Sequence, residues 1–223
     1  MTFLAEGPRD PLDLAAAIIA RKQPRWLMSF RDICRSTDER TVIASLMPKI
    51  GVNHKTPLFY LNDLSGMATV YYALLSSNVL DYVARQKMGG TSLTFFYLKQ
   101  FPILPPSAFT PADLDFVVPR VLELTYTSHS LRLWAEDLGH FGAPFAWDED
   151  RRALLRADLD AFFARKYGLT RDELRYILDP ADVKGADYPS ETFRVLQANE
   201  RRRYGEYRTQ RLVLAAFDRL TGA

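Results

Sequence analysis

Two kinds of sequence meet at the stretch Phe101-Pro102-Ile103-Leu104-Pro105-Pro106. Before it, short β-leaning runs alternate with turn residues and are flanked by helical patterns; after it, almost every run has helical spacing. Proline lacks a backbone N–H and disfavours the helical conformation in the residue before it, so an irregular segment is expected here. The sequence therefore predicts an α+β fold, with a strand-and-helix domain over residues 1–106 and an all-helical region over residues 107–223.

Strands are predicted where residues that favour extended structure lie between turn residues. These runs are residues 26–34, 40–47, 58–61 and 93–98. Helices are predicted over residues 12–22, where Asp10 is the capping residue, and over residues 67–87. Gly89 and Gly90 are assigned a structural turn that ends the second of these helices, because glycine takes the left-handed conformation freely.

Helix start signals dominate the second part of the chain. Thr110 and Thr170 each precede an acidic residue of the first helical turn, and Asp148 is a third capping residue. Helices are expected over residues 111–126, 130–138, 149–167 and 171–179, and two more are expected to begin near residues 190 and 205. The expected core side chains of this region are Trp134, Phe162, Phe163 and Phe217.

Composition excludes several classes of protein. With 48% hydrophobic and 25% charged residues in 223, the chain is neither disordered nor membrane-embedded, and it has no apolar run near the roughly 20 residues that a membrane helix needs. Its single cysteine, Cys34, excludes an internal disulfide and suits a reducing compartment, so a cytoplasmic location is expected. Cys34 itself is expected to be a buried structural thiol within a strand.

Motifs for catalysis and for metal binding are missing from the sequence. It has no Gly-x-Gly-x-x-Gly, no phosphate-binding Gly-Lys-Ser/Thr loop and no His-Glu-x-x-His, and its histidines are scattered. Asp158 and Asp160 stand two apart in a predicted helix and are interpreted as solvated surface. The sequence therefore predicts no catalytic residue, no metal and no cofactor in this chain.

Positive charge is concentrated in the predicted strand region. Residues 21–55 carry eight arginine and lysine residues against three acidic ones, whereas the whole chain has a net charge of only +2. Cations at turns, mixed with amide and hydroxyl groups, can hold phosphates and read base edges. Residues 85–92 add a second small cluster. The alternative is that both clusters are ordinary solvated strand ends and a helix terminus; the cluster at 200–208 is interpreted as a solvated helix face or a surface for another domain.

Several segments together resemble one protein family. They are residues 31–33, 38–44, 78–91 and 99–106, with 187–194 and 204–209 near the end. In order and spacing they are similar to the C-terminal target-recognition region of adenine-specific DNA methyltransferases of the single-chain, type II restriction–modification kind. The Gly-Gly-Thr at 89–91 and the proline-rich exit also resemble the specificity subunits of type I restriction enzymes. The resemblance covers about residues 26–220.

The resemblance implies a division of labour between this chain and a catalytic domain. In that family, methyl transfer uses S-adenosylmethionine and an Asn/Asp-Pro-Pro-Tyr/Phe motif, and this sequence has neither that motif nor a glycine-rich cofactor loop. The chain is thus expected to be a C-terminal piece of a longer methyltransferase, to lack enzymatic activity alone, and to bind double-stranded DNA beside the catalytic domain of the same parent. The expected DNA contacts are Arg31, Arg35, Arg40, Asn53, His54 and Lys55, followed by Arg85, Lys87 and Thr91.

Two other functions are compatible with the sequence. A helical protein–protein interaction module of a phage-defence complex, without DNA contact, predicts scattered charges and an exposed apolar patch on the helical half. A hydrolase with a site assembled from distant residues predicts a deep pocket with perturbed acids. DNA recognition predicts instead a concave basic face with polar loops.

Overall fold

A small antiparallel sheet lies against a larger set of helices, so the α+β fold class is confirmed. The computed structural model describes residues 10–14, 24–61, 66–189 and 192–222. Strands β1 (Trp26–Phe30), β2 (Ala44–Pro48) and β3 (Leu58–Phe59) pair in the order β2-β1-β3. In the register of β1 with β2, Trp26 is opposite Pro48 and Phe30 is opposite Ala44. All five residues of β1 are buried, as expected for a central strand with no charged side chain.

The helices follow the sheet in chain order. They are α1 (Gly66–Leu75), α2 (Asn78–Lys87), α3 (Phe95–Leu98), α4 (Pro111–Thr125), α5 (Arg132–Asp137), α6 (Glu149–Lys166), α7 (Arg171–Leu178), α8 (Pro180–Lys184), α9 (Arg194–Tyr204) and α10 (Arg208–Thr221). Short 3-10 turns cover Pro106–Ala108 and His129–Leu131. The second part of the described chain is therefore helical, as predicted.

The predicted helix starts of the second part are confirmed with their caps. Thr110 and Asp113 form a reciprocal capping box at α4, and Thr170 and Glu173 form another at α7. The Asp148 side chain accepts a hydrogen bond from the backbone N–H of Arg151 at the start of α6. These signals were readable because each involves residues within one helical turn.

The predicted first helix and the predicted helix start near residue 190 fall partly on residues outside the described ranges. Residues 11–14 are helical, and the Asp10 carboxylate accepts a hydrogen bond from the Leu12 N–H at 2.7 Å, as expected of a cap. The rest of the predicted 12–22 helix lies outside the described residues. The same holds for the predicted helix start near residue 190, and α9 begins at Arg194.

The strand predictions are right in place but too long, and the one at 93–98 is wrong. After an isolated bridge between Ile33 and Ser92, the chain turns into the short helix α3. Leu93 and Leu98 are buried while residues 94–96 are exposed, so burial does not alternate as a strand requires. The aromatic residues of this run favour a strand only where neighbouring strands can pair with them.

The predicted helix over 67–87 is broken at Ser76-Ser77. The Ser77 hydroxyl accepts a hydrogen bond from the Leu80 N–H at 3.3 Å and so caps a new helix, α2. The predicted glycine stop after Lys87 is also corrected, since α2 ends on the extended residue Met88 and neither Gly89 nor Gly90 has a positive φ. A side chain at either glycine would meet no atom within 4 Å. The turn at 88–90 therefore does not require glycine.

One hydrophobic core contains residues from both sides of the proline-rich stretch. Trp26 of β1 packs edge-on against Trp134 of α5, with ring centroids 4.5 Å apart. The same buried cluster includes Phe30, Phe162 and Phe163. The predicted core residues Trp134, Phe162, Phe163 and Phe217 are all buried, which confirms them. The division into domains at residue 106 stays a prediction, and the two parts share this core.

A buried ion pair fixes the segment 36–42 onto α2. The Asp81 carboxylate is fully buried and accepts hydrogen bonds from the backbone N–H groups of Thr41 and Val42 at 2.8 and 2.6 Å. Its other oxygen accepts from Arg85 Nε at 2.9 Å. The Arg85 guanidinium in turn donates to the carbonyl oxygens of Ser36, Asp38 and Glu39. We call this arrangement the Asp81–Arg85 clamp.

Replacing Asp81 by asparagine is expected to lower the free energy of unfolding by about 3–5 kcal/mol, because Arg85 is left buried without its counter-ion. Chemical denaturation of Asp81→Asn measures this loss. Asp115→Asn is the control, since Asp115 is exposed on α4 and should change stability by less than about 0.5 kcal/mol. Equal effects of the two substitutions would contradict the clamp. The double variant Asp81→Asn/Arg85→Met should lose less than the sum of the single variants.

Candidate functional site

Three loops that carry the predicted DNA contacts are joined by backbone hydrogen bonds. The N–H of Asp32 donates to the carbonyl oxygen of Lys55 at 3.0 Å, and the N–H of Cys34 donates to that of Thr91 at 3.1 Å. The N–H of Leu93 closes the arrangement by donating to the Asp32 carbonyl oxygen at 2.7 Å. Segments 31–38, 51–57 and 87–93, which the sequence separates, therefore form one continuous surface. We call it the loop surface.

Seven of the nine predicted DNA-contact residues are exposed on the loop surface. They are Arg31, Arg35, Asn53, His54, Lys55, Lys87 and Thr91. Lys55 pairs with Asp32 at 2.9 Å, and Arg31 lies 3.7 Å from Asp38. Arg35, His54 and Lys87 form no side-chain hydrogen bond or ion pair within the described part of the chain. Their charged or polar ends are therefore available to a ligand.

The other two predicted contacts, Arg40 and Arg85, are directed into the protein. Arg85 is 8% exposed and serves the Asp81–Arg85 clamp. Arg40 donates to Asn78 Oδ1 at 2.5 Å and to the Ser76 and Ser77 carbonyl oxygens at 2.6 and 3.2 Å. Arg40 stabilises the break between α1 and α2, and Arg85 holds residues 36–39 in place. We therefore remove them from the proposed DNA contacts.

A cleft of about 920 Å³ lies on the other side of segment 36–42. Its walls come from residues 39–44, the junction of α1 and α2, one face of α6, and helices α9 and α10. Six arginines line it, Arg40, Arg152, Arg156, Arg202, Arg203 and Arg208, against four acidic residues, Glu39, Glu149, Asp160 and Glu200. We call it the arginine cleft.

The arginines of α9 and α10 at the rim of the cleft have partners. Arg203 pairs with Glu149 at 2.5 Å, Arg208 pairs with Asp150 at 2.8 Å, and Arg202 donates to Asn199 Oδ1 at 3.1 Å. The pair of Arg203 with Glu149 is exposed, and such pairs contribute little to stability and are readily exchanged for another anion. In the interior of the cleft, by contrast, a buried arginine lacks such partners.

Arg152 is a buried cation with two nitrogen atoms that lack a hydrogen-bond partner. The residue is 8% exposed, and the unpartnered atoms are Nε and Nη1. One face of the guanidinium stacks on Trp147, with Cζ 3.7 Å from the ring centroid. Burial and the neighbouring Arg156 lower the pKa of Arg152. The nearby Glu123 opposes this shift by its charge but forms no hydrogen bond with Arg152, since its carboxylate oxygens accept from Arg151 at 2.6 and 2.8 Å.

Asp160 is buried at the inner wall of the same cleft, which corrects its interpretation as solvated surface. Its carboxylate accepts hydrogen bonds from the backbone N–H and the Nδ2 group of Asn78, at 2.6 and 2.8 Å. Burial raises the pKa of Asp160 to about 6 despite these bonds and the nearby Arg40. Asp158, two residues earlier, is also partly buried and pairs with Arg120 and Arg219.

The functional residues of the arginine cleft were missed in the sequence, although one signal was present. Arg152 stands three and seven positions before the buried leucines Leu155 and Leu159. An arginine on the apolar stripe of a helix is unusual and points to a special environment. Helical spacing places Arg156 one turn away from Arg152, but no local pattern predicts the stacking of Trp147 or brings Arg40 to the same cleft.

Cys34 is buried, as predicted, but it lies just beyond β1 and not within it. Burial raises the pKa of its thiol to about 11, so the thiol stays protonated near neutral pH. In the described ranges, no group of three or more histidine, cysteine, aspartate or glutamate side chains is arranged to hold a metal ion. The loop surface and the arginine cleft are therefore the two candidate sites.

Comparisons of this chain with protein-family models, with curated proteins and with solved structures give no match. None of the helices within the described residues has both the length and the apolar character needed to cross a membrane. The function is accordingly inferred from the residues and their geometry.

The stability of the chain is expected to depend on the protonation of Asp160. The folded protein holds this proton up to about pH 6, against an ordinary pKa of 3.8, so the folded state binds more protons between these values. The stabilising contribution is complete below pH 3.8 and is lost as the pH rises through 6. Relative to Asp160→Asn, the wild type should lose about 2.4 kcal/mol of unfolding free energy between pH 4 and pH 7.

Denaturant titrations of both proteins at several pH values measure this difference. Asp115→Asn serves as the control for removal of an exposed carboxyl group. A constant difference between wild type and Asp160→Asn from pH 4 to 7 would show that Asp160 titrates as an ordinary carboxyl group.

Proposed function

We propose that this chain is the sequence-specific DNA-recognition portion of a type II restriction–modification adenine methyltransferase. The observation that carries the proposal is the loop surface, where backbone hydrogen bonds unite three separate loops that bear unpaired cationic or titratable side chains. Arg35, His54 and Lys87 would contact phosphates, while Asn53 and Thr91 carry the amide and hydroxyl groups suited to base edges. The resemblance of the sequence to target-recognition regions supports the same function.

In this proposal the chain positions DNA and does not itself transfer the methyl group. The Asp81–Arg85 clamp holds segment 36–42, next to Arg35, so this part of the loop surface is ordered before DNA arrives. A preorganised surface loses less conformational entropy on binding. The catalytic domain of the same parent polypeptide would bind S-adenosylmethionine and extrude the adenine.

A protein–protein interaction module is the second candidate, and one observation favours it. Large apolar side chains are exposed on the helical half, with Phe141 81% and Trp147 67% exposed. Yet Tyr60 and Phe96, each 71% exposed, are apolar residues of the other half, so exposure is not confined to the helices. Exposed aromatic residues beside the loop surface are equally compatible with contact to DNA bases or with a catalytic domain.

The hydrolase alternative has less support. The arginine cleft is a pocket with a perturbed acid, Asp160, as that alternative predicts. Both Asp160 oxygens, however, accept hydrogen bonds from Asn78, and the residues described as lining the cleft include no histidine or cysteine. The arrangement favours binding of an anion over activation of a nucleophile.

Selection from a randomised DNA duplex pool across a salt series tests the proposed function. We expect an enriched motif and an affinity that falls linearly with the logarithm of the salt concentration. Arg35→Ala should weaken binding and, if Arg35 contacts a phosphate, reduce the salt slope by about 1. Arg194→Ala is the matched control, because Arg194 is also exposed without a partner in the described chain but belongs to α9 and to none of the three segments of the loop surface.

The outcomes separate the candidates. Equal losses for Arg35→Ala and Arg194→Ala would indicate nonspecific electrostatic binding and count against the loop surface. Absence of binding at low salt would overturn DNA recognition by this chain and favour the protein-interaction module.

A further inference from the structure

We propose that the arginine cleft binds a phosphate group, with Arg152 as its central ligand. The site is separate from the loop surface, and its binding of phosphate does not depend on DNA recognition there. Nothing in the DNA-recognition proposal requires a pocket of this size or a buried arginine on α6.

The state of Arg152 in the structure is the first argument. A buried cation is destabilising unless it is paired and hydrogen-bonded, and Arg152 is buried with Nε and Nη1 unpartnered. Trp147 covers one face of its guanidinium but leaves the N–H groups along the edge of the plane unsatisfied. A guanidinium with unsatisfied N–H groups is a strong donor to the oxygens of a phosphate or carboxylate.

The surroundings of Arg152 are the second argument. Arg156 follows one turn later on α6, lines the cleft, and has no hydrogen bond or ion pair with any described residue. Arg40 lines it as well, held by carbonyl oxygens. Tyr72 lines the cleft together with these three arginines. Burial raises the pKa of Tyr72, and its hydroxyl stays a neutral donor.

Charge and size select the chemical class of the ligand. Asp160 offsets part of the positive charge of Arg40 and Arg156, and Arg40 also lies 3.9 Å from Asp81. Arg152 and Arg156 have no ion pair with any described residue, so positive charge remains in the cleft. A phosphate, with up to two negative charges and several acceptor oxygens, matches convergent arginines better than a single carboxylate. The cleft of about 920 Å³ has the size of a small-molecule site and exceeds the needs of a bare phosphate. The phosphate can thus belong to a phosphorylated small molecule or to a nucleic acid.

Binding of inorganic phosphate to the purified chain tests the site. Titration calorimetry and thermal unfolding are measured at constant ionic strength, with chloride replacing phosphate as the reference. We expect the wild type to bind phosphate and to unfold at a higher temperature in its presence. Arg152→Met should weaken binding at least tenfold. Arg165→Met is the matched control, since Arg165 is an exposed arginine of the same helix outside the cleft, and it should bind like the wild type.

Stability in the absence of phosphate distinguishes loss of a ligand from loss of the fold. Arg152→Met removes an incompletely satisfied buried cation and keeps an apolar chain against Trp147, so it should unfold at the wild-type temperature or above it without phosphate. A variant that is as stable as the wild type yet fails to bind phosphate supports the proposal. If Arg152→Met is destabilised, Arg156→Ala, at an exposed position of the cleft, provides the second test and should also weaken binding.

Two further probes identify the source of the phosphate. If it belongs to a small molecule, adenosine 5′-monophosphate should bind at least as well as inorganic phosphate, and Arg152→Met should leave affinity for duplex DNA unchanged. If it belongs to a nucleic acid, inorganic phosphate should compete with the duplex and Arg152→Met should reduce duplex affinity, while Arg35→Ala leaves phosphate binding intact. The proposal is overturned if the wild type shows no phosphate binding, or if Arg165→Met weakens it as much as Arg152→Met does.

Discussion

The arrangement of both candidate sites depends on the hydrogen bonds of the buried Asp81 carboxylate. This carboxylate accepts the backbone N–H groups of residues 41 and 42 and neutralises Arg85, which in turn holds the carbonyl groups of residues 36, 38 and 39. Segment 36–42 has no regular secondary structure, and buried backbone groups outside helices and strands need such side-chain partners. Its residues 36–38 belong to the loop surface, next to Arg35, and its residue Arg40 lines the arginine cleft.

The two sites illustrate different uses of arginine. On the loop surface, Arg35 is exposed and its side chain has no partner in the described chain, so contact with a ligand breaks no existing ion pair. In the cleft, Arg152 is already desolvated, and an oxyanion that reaches it meets a cation whose interaction is less screened by water. The first arrangement suits fast, salt-sensitive association with an extended polyanion, and the second suits selective capture of one charged group.

What the sequence predicted depended on how local each signal was. The caps at Thr110, Asp148 and Thr170 involve residues one turn apart, and they were read correctly. The strand predicted over 93–98 was wrong because its aromatic residues form a strand only beside pairing partners, and the sheet supplies none here. Arg40 and Arg85 looked like surface cations because the carbonyl groups that bind them lie 36 to 49 positions away. The sequence shows Arg152 as an arginine on an apolar helix face, but whether its N–H groups find hydrogen-bond partners depends on the tertiary structure.

The contact between Trp26 and Trp134 has a consequence for how such a protein can diversify. These rings lie on opposite sides of the proline-rich stretch, one in the central strand and one in a helix, within a single core. Exchanging residues 1–106 as a block would therefore break a tightly packed aromatic contact and expose both surfaces to water. New binding preferences are reached at lower cost by varying residues 31–38, 51–57 and 87–93. Their exposed side chains can change while the buried tryptophans stay where they are.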